Sequence, residues 1–215
     1  TSRNNLAGAY QAAGRLDDAI PLFERNLEDS TRILGPHHPH TLTSHSKLAG
    51  AYQESGRLDD AIPLLEQTLE DSTRILGPHH PHTLASRHNL AGAYQAAGRL
   101  DEAIALYEQT LKDFENLLGP NHPLTLASRH NLAGAYRDAG RLDEAIALYE
   151  QTLEDSTRIL GPHHPHTLAS HSKLASAYRA AGRIEEAKAL FETPSGSEED
   201  EQDGTEEDLD QETGD

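Results

Sequence analysis

"NLAGAYQAAGRLDEAIALYEQTL", residues 89–111, sets its apolar side chains at helical spacings on either side of one glycine. Before Gly98 stand Leu90, Ala91 and Tyr94; after it stand Leu100, Ala103, Ile104, Tyr107 and Leu111. Intervals of three, four and seven put each set on one face of a helix. Gly98 suits the left-handed residue that ends a first helix. Asp101 and Glu102 sit where the amide dipole of the next helix favours negative charge. Working outward, Leu84 and Leu118 extend the two faces, and Gly119 and Pro120 stop the second helix. The spacing predicts a hairpin of a helix A of about 14 to 16 residues and a helix B of about 18 to 20. One such hairpin cannot bury its apolar face alone.

The hairpin recurs. Leu6, Leu48, Leu90, Leu132 and Leu174 are spaced by 42 residues, as are Tyr10, Tyr52, Tyr94, Tyr136 and Tyr178. Residues 62–84 and 146–168 differ only at Pro63/Ala147 and Leu65/Tyr149. Five units follow, at about 1–40, 41–82, 83–124, 125–166 and 167–192, within an array over 1–194.

The units join through "LGPHHPHTL" at 34–42, repeated at 76–84 and 160–168 and changed to "LGPNHPLTL" at 118–126. Gly35 and Pro36 stop helix B, and Pro39 suits the first turn of the next helix A, so the string reads as an inter-unit loop. A zinc or nickel site needs three or four converging imidazoles, whereas adjacent His37 and His38 diverge in so short a loop. His38, His80, His122 and His164 occur in all four loops and are expected to make a structural contact. His37, His40, His79, His82, His163 and His166 are expected to face solvent. A histidine-rich metal-binding protein remains the remote alternative, and no metal ligand or cofactor is assigned.

Asn89, Leu90, Ala91, Tyr94, Gly98, Ala103 and Tyr107 resemble the tetratricopeptide repeat, whose usual period is about 34. The eight extra residues would lengthen each helix by about one turn. HEAT and armadillo repeats share the longer period but not this residue pattern. The string "NNLAGAY…GRLDDAIPLFE…LGPHHP", with Pro21 and Pro63, is similar to the long repeats of kinesin light chains and of the C-terminal arrays of fungal and bacterial STAND (NLR-like) receptors. The resemblance covers residues 1 to about 192. It implies an all-α, right-handed α-solenoid of five tandem helix-turn-helix repeats that binds protein or peptide partners, with helix A lining the concave face. It implies either the sensor array of a STAND receptor, with a nucleotide-binding domain N-terminal to it, or a kinesin-light-chain-like cargo adaptor or scaffold.

Composition excludes other classes. The 215 residues contain no Cys, Met or Trp and 3 Phe. Disulfides and thiolate zinc are ruled out, and a cytoplasmic location is the default. No run reaches the roughly 18 apolar residues of a membrane span. The start, "TSRNNLAGAY", is neither a signal peptide nor an initiating Met and reads as that of an excised or processed fragment. No Gly-rich phosphate loop with Lys is present, and every Ser, His and Asp of the array belongs to a repeat position, so the chain is read as no enzyme.

Helix A carries the candidate contact surface. Opposite Leu90 and Tyr94 lie Ala85, His88, Asn89, Gly92, Gln95 and Ala96. The corresponding candidates elsewhere are Asn5 and Gln11; Lys47 and Gln53; His130, Asn131 and Arg137; and Lys173 and Arg179. These positions vary while the helix B framework barely changes. Gly8, Gly50, Gly92 and Gly134 each cost about 1 kcal/mol against Ala in a helix, which calls for a close approach of neighbouring A helices or of a ligand backbone.

Of the net charge of −18, the tail at 195–215 holds 11 acids and no base, leaving −7 on the array. The tail is expected to be disordered, and an acidic array is no nucleic-acid binder. Arg137, Lys173 and Arg179, with His88 and His130, are expected to make a locally basic groove for an acidic peptide, which the chain's own residues 198–212 could supply. Apolar surface at both ends is expected to give end-to-end self-association.

Overall fold

The structure, a computed structural model, describes residues 2–192 as ten α-helices. The A helices are α1 (Ser2–Ala12), α3 (Pro39–Glu54), α5 (Pro81–Ala96), α7 (Pro123–Asp138) and α9 (Pro165–Ala180). The B helices are α2 (Leu16–Leu34), α4 (Leu58–Leu76), α6 (Leu100–Leu118), α8 (Leu142–Leu160) and α10 (Ile184–Glu192). Helices α5 and α6 have 16 and 19 residues, within the ranges set by the spacing. Each helix packs against its neighbours in sequence, and α3 also touches α5, which makes a helical solenoid. The unit boundaries drawn at 40/41, 82/83, 124/125 and 166/167 fall two residues inside the A helices. Prolines 39, 81, 123 and 165 open those helices, since a first-turn residue needs no amide hydrogen. The tail at 195–215 lies outside the described residues.

Local chemistry sets the hairpin. Helix α5 ends in a Schellman turn: the amides of Gly98 and Arg99 donate to Gln95 and Tyr94 carbonyls at 3.0 and 2.9 Å, with Gly98 at φ +75°. The guanidinium of Arg99 then lies over the Tyr94 ring at 4.0 Å, and its Nε donates to Glu102 in the first turn of α6 at 2.6 Å. The "GRLDE" string thus ends one helix and positions the next.

At the other junction a histidine caps the A helix. Nδ1 of His38, His80, His122 and His164 accepts the amide hydrogen of the residue two positions on, at 3.1 to 3.2 Å. This is the structural contact expected of the four invariant loop histidines. Behind it, Thr83 Oγ1 donates to the Gly77 carbonyl at 2.8 Å, and Thr41 and Thr125 repeat the bond.

The core runs along the array in two clusters, one in units 1 and 2 and one from unit 2 to unit 5, with Leu64 packed against both. Fully buried alanines such as Ala91, Ala93 and Ala103 let the helices approach closely. Tyr52, Tyr94, Tyr136 and Tyr178 are buried, and each hydroxyl donates to a glutamate on the B helix of the preceding unit: Glu24, Glu66, Glu108 and Glu150. Burial, and then the adjacent carboxylate, push these phenols up to about 12.

Charged groups also enter the interior. Arg87, 4% exposed, pairs with Asp113. Arg129, 1% exposed, pairs with Asp155 at 2.7 Å and Glu115 at 3.3 Å. In unit 2 the same place holds His45, buried with Nδ1 unpartnered, and burial lowers its pKa.

Candidate functional site

The A helices bury Leu84, Ser86, Arg87, Leu90, Ala91, Ala93 and Tyr94 in α5 and turn the opposite face outward. On that outward face Asn5, Lys47, Lys173 and Arg179 are exposed, while Gln11, Gln53, His88, Asn89, Gln95, His130, Asn131 and Arg137 are half-buried. Neighbouring A helices are bridged across the face at a sequence separation of 43. Gln11 donates to Glu54 at 2.7 Å, Gln95 donates to Asp138 at 2.6 Å, and Asn131 Nδ2 lies 3.3 Å from His88 Nε2. These bridges join α1 to α3 and α5 to α7, and the candidate residues of the other A helices occupy the equivalent positions of the same strip.

The strip is less basic than the sequence suggests. Burial holds the His88 imidazole below its usual titration range. Burial, and then the positive charges of Lys173, His166 and Arg137, lower His130. Both rings pack edge-on against tyrosines of the following B helix, His88 on Tyr107 at 5.5 Å and His130 on Tyr149 at 5.4 Å. Arg137 is paired with Asp138 at 2.8 Å. Among the described residues, Lys47, Lys173 and Arg179 make no ion pair, and they are the cations the strip can offer a ligand.

The glycines do not mark a close helix approach. A methyl at Gly92 or Gly134 would meet only the hydroxyls of Tyr107 and Tyr149, at 3.5 and 3.6 Å, apart from Gln95 at 3.9 Å beside Gly134. One at Gly8 or Gly50 would meet nothing within 4 Å. Among the described residues no neighbouring backbone comes within 4 Å of these positions, which leaves the strip open there.

The tetratricopeptide repeat family model matches residues 1–71, 43–116, 88–155 and 128–193. The chain belongs to the tetratricopeptide repeat family. A Podosopora anserina chain, assigned as a kinesin light chain with nearly identical TPR-like repeats, is 40% identical, with a TM-score of 0.81 over 89% of this chain and 90% of that one. BtubC (BKLC) from P. vanneervenii is 23% identical, with a TM-score of 0.73 over 86% of this chain and 74% of its own. A Rap protein in complex with competence and sporulation factor is 14% identical, with a TM-score of 0.60 over 88% of this chain and 60% of its own. The last two share the fold alone. No protein in the curated comparison matches the chain.

Among the described residues of this tetratricopeptide array, clefts at equivalent positions lie between successive A helices: about 150 Å³ between α3 and α5, 720 Å³ between α5 and α7, and 270 Å³ between α7 and α9. The middle cleft contains Phe114, Leu117, Leu118 and Leu124, of which the sequence reading named Leu118 alone, and that as part of the helix B core face. The available signal was the departure of "DFENLLGPNHPL" from "DSTRILGPHHPH". Arg87 and Arg129 were also passed over, because their exposure depends on how units stack. No helix among the described residues is long and apolar enough to cross a membrane.

Proposed function

We propose that the array is a non-catalytic recognition module whose A-helix strip binds an extended, acidic segment of a partner protein in the cytoplasm. The observation supporting this is that Lys47 on α3 and Lys173 and Arg179 on α9, without carboxylate partners among the described residues, stand on the strip of an array that is acidic as a whole. Glutamine and asparagine amides between them supply hydrogen bonds to a peptide backbone.

The finer role is the sensor array of a STAND-type receptor, supported by the resemblance of the repeat string. The kinesin-light-chain-like cargo adaptor is favoured instead by the 40% identical Podosopora anserina chain. A Walker-type loop encoded upstream of Thr1 selects the first, and its absence from the full-length gene selects the second.

The chain's own residues 198–212, held at high local concentration, serve as an acidic pseudo-ligand. Deleting residues 195–215 is expected to shift the amide resonances of Asn131, Arg137, Lys173 and Arg179 at low salt. The shifts should vanish as screening shortens the Debye length from about 10 Å at 0.1 M to about 3 Å at 1 M. Unchanged resonances at low salt refute docking of the tail.

A further inference from the structure

Unit 3 breaks the repeat at the α5–α7 cleft, the largest of the three equivalent clefts described above. The floor position contributed by helix B is Ser72 in unit 2 and Ser156 in unit 4, but Phe114 in unit 3. The rim position on the next A helix is His82 and His166 in the flanking clefts, but Leu124 in the middle one. Both changes convert polar to apolar. They join Leu117 and Leu118, which with Leu124 are 42 to 51% exposed, far from the burial that residues of this type usually reach. A cluster of this kind marks a contact site when it lines a concavity. Among the described residues no carboxylate lines the cleft, and the Ser128 hydroxyl, 1% exposed, stands in its lining with no hydrogen-bond partner.

The charge around the cleft is weighted toward one side. Beyond α7 lie Lys173 and Arg179 of α9, two cations without an ion pair among the described residues, whereas beyond α5 lies Lys47 of α3 alone. We propose that the α5–α7 cleft is the anchor pocket of the strip. It takes a leucine- or phenylalanine-sized side chain of an extended peptide whose carboxylates follow on the α9 side, and Phe114 is the residue that sets this preference. The peptide backbone then presents a carbonyl to Ser128, and the flanking clefts, floored by Ser72 and Ser156, take small polar residues. This rests on the groove reading above and adds to it the position and chemistry of the anchor.

The test uses the full chain and two fluorescein-labelled octapeptides of serine and aspartate, identical except that one carries a phenylalanine where the other has serine. Fluorescence anisotropy is expected to show the phenylalanine probe binding roughly tenfold or more tighter, the factor that burial of one aromatic side chain supplies. The double variant Phe114→Ser, Leu124→His installs what units 2 and 4 already carry, so its fold is secure. It should bring the two probes within about twofold of each other, since the apolar gain disappears. Lys173→Glu with Arg179→Glu should weaken both probes and leave their ratio in place. Equal affinity for the two probes in the unaltered chain, or a ratio that survives Phe114→Ser, Leu124→His, overturns the anchor pocket while leaving the groove reading standing. Binding of neither probe, to the full chain or to the chain shortened by the competing residues 195–215, overturns both.

Discussion

The buried arginines permit a comparison inside one molecule. Arg87 and Arg129 occupy equivalent positions and pair with aspartates 26 residues on, Asp113 and Asp155. The aspartates differ in what else holds them. Asp155 also accepts from Arg158 at 2.7 Å, whereas unit 3 has Asn116 at the position equivalent to Arg158, which among the described residues leaves Asp113 with His79 at 3.4 Å as its one other partner. Replacing Arg87 by Met keeps the aliphatic stem and strands a carboxylate whose side chain is 11% exposed. Breaking a buried pair on one side costs about 3–5 kcal/mol. Arg129→Met leaves Asp155 compensated and should cost about 1–2 kcal/mol, since the residual Arg158 pair is a weaker, more exposed one. Unit 2 carries the natural precedent: His45 stands in place of the arginine, and Asp71 keeps Arg74 at 2.6 Å. Urea melts followed by circular dichroism at pH 7, extrapolated linearly, measure both costs. Arg87→Met combined with Asn116→Arg should recover roughly 1 kcal/mol or more of the loss. Equal costs for Arg87→Met and Arg129→Met, or no recovery on adding Asn116→Arg, would refute the argument that the stranded carboxylate sets the penalty.

Pro63 lies inside α4 where Ala105 and Ala147 stand in the equivalent helices, so Pro63→Ala should raise stability by about 1–3 kcal/mol in the same melts. The four interlocking tyrosines, raised to about 12 in the fold against an ordinary value near 10, stay protonated where the unfolded chain has lost its protons. Their contribution is therefore whole below about pH 10 and lost between about 10 and 12, and a stability unchanged across that window counts against the buried Tyr–Glu bonds. His80→Ala removes the cap of α5 and should cost about 1 kcal/mol, with His80→Asn restoring most of it, as read by denaturant midpoint. Exposed Leu6 at one end and Ile184 and Phe191 at the other should give the 215-residue chain a concentration-dependent sedimentation coefficient, and a strict monomer at high concentration would contradict this.

The hairpin was legible in the sequence because its signals are local. Gly98 ends one helix through bonds to Gln95 and Tyr94, and Pro81 opens α5, so residues within a few positions of each other carry the boundary. The 42-residue recurrence then required the units to stack, since no single hairpin buries its own apolar face. The outward strip of helix A followed from the same periodicity. What only the tertiary structure decided was the fate of charged and polar residues whose partners lie a unit away. Arg87 and Arg129 belong to a residue type that is seldom fully buried, and nothing within ten positions of either reveals an aspartate 26 residues on. His88, His130 and Arg137 read as a basic lining from their shared stripe, yet the fold buries the two rings against tyrosines of α6 and α8 and pairs the arginine with Asp138. Phe114 and Leu124 are ten residues apart and look like drift in a repeat until the α6–α7 turn sets them in one cleft. Desolvation and pairing are properties of the assembled neighbourhood, and a periodic sequence specifies that neighbourhood only once its units have stacked.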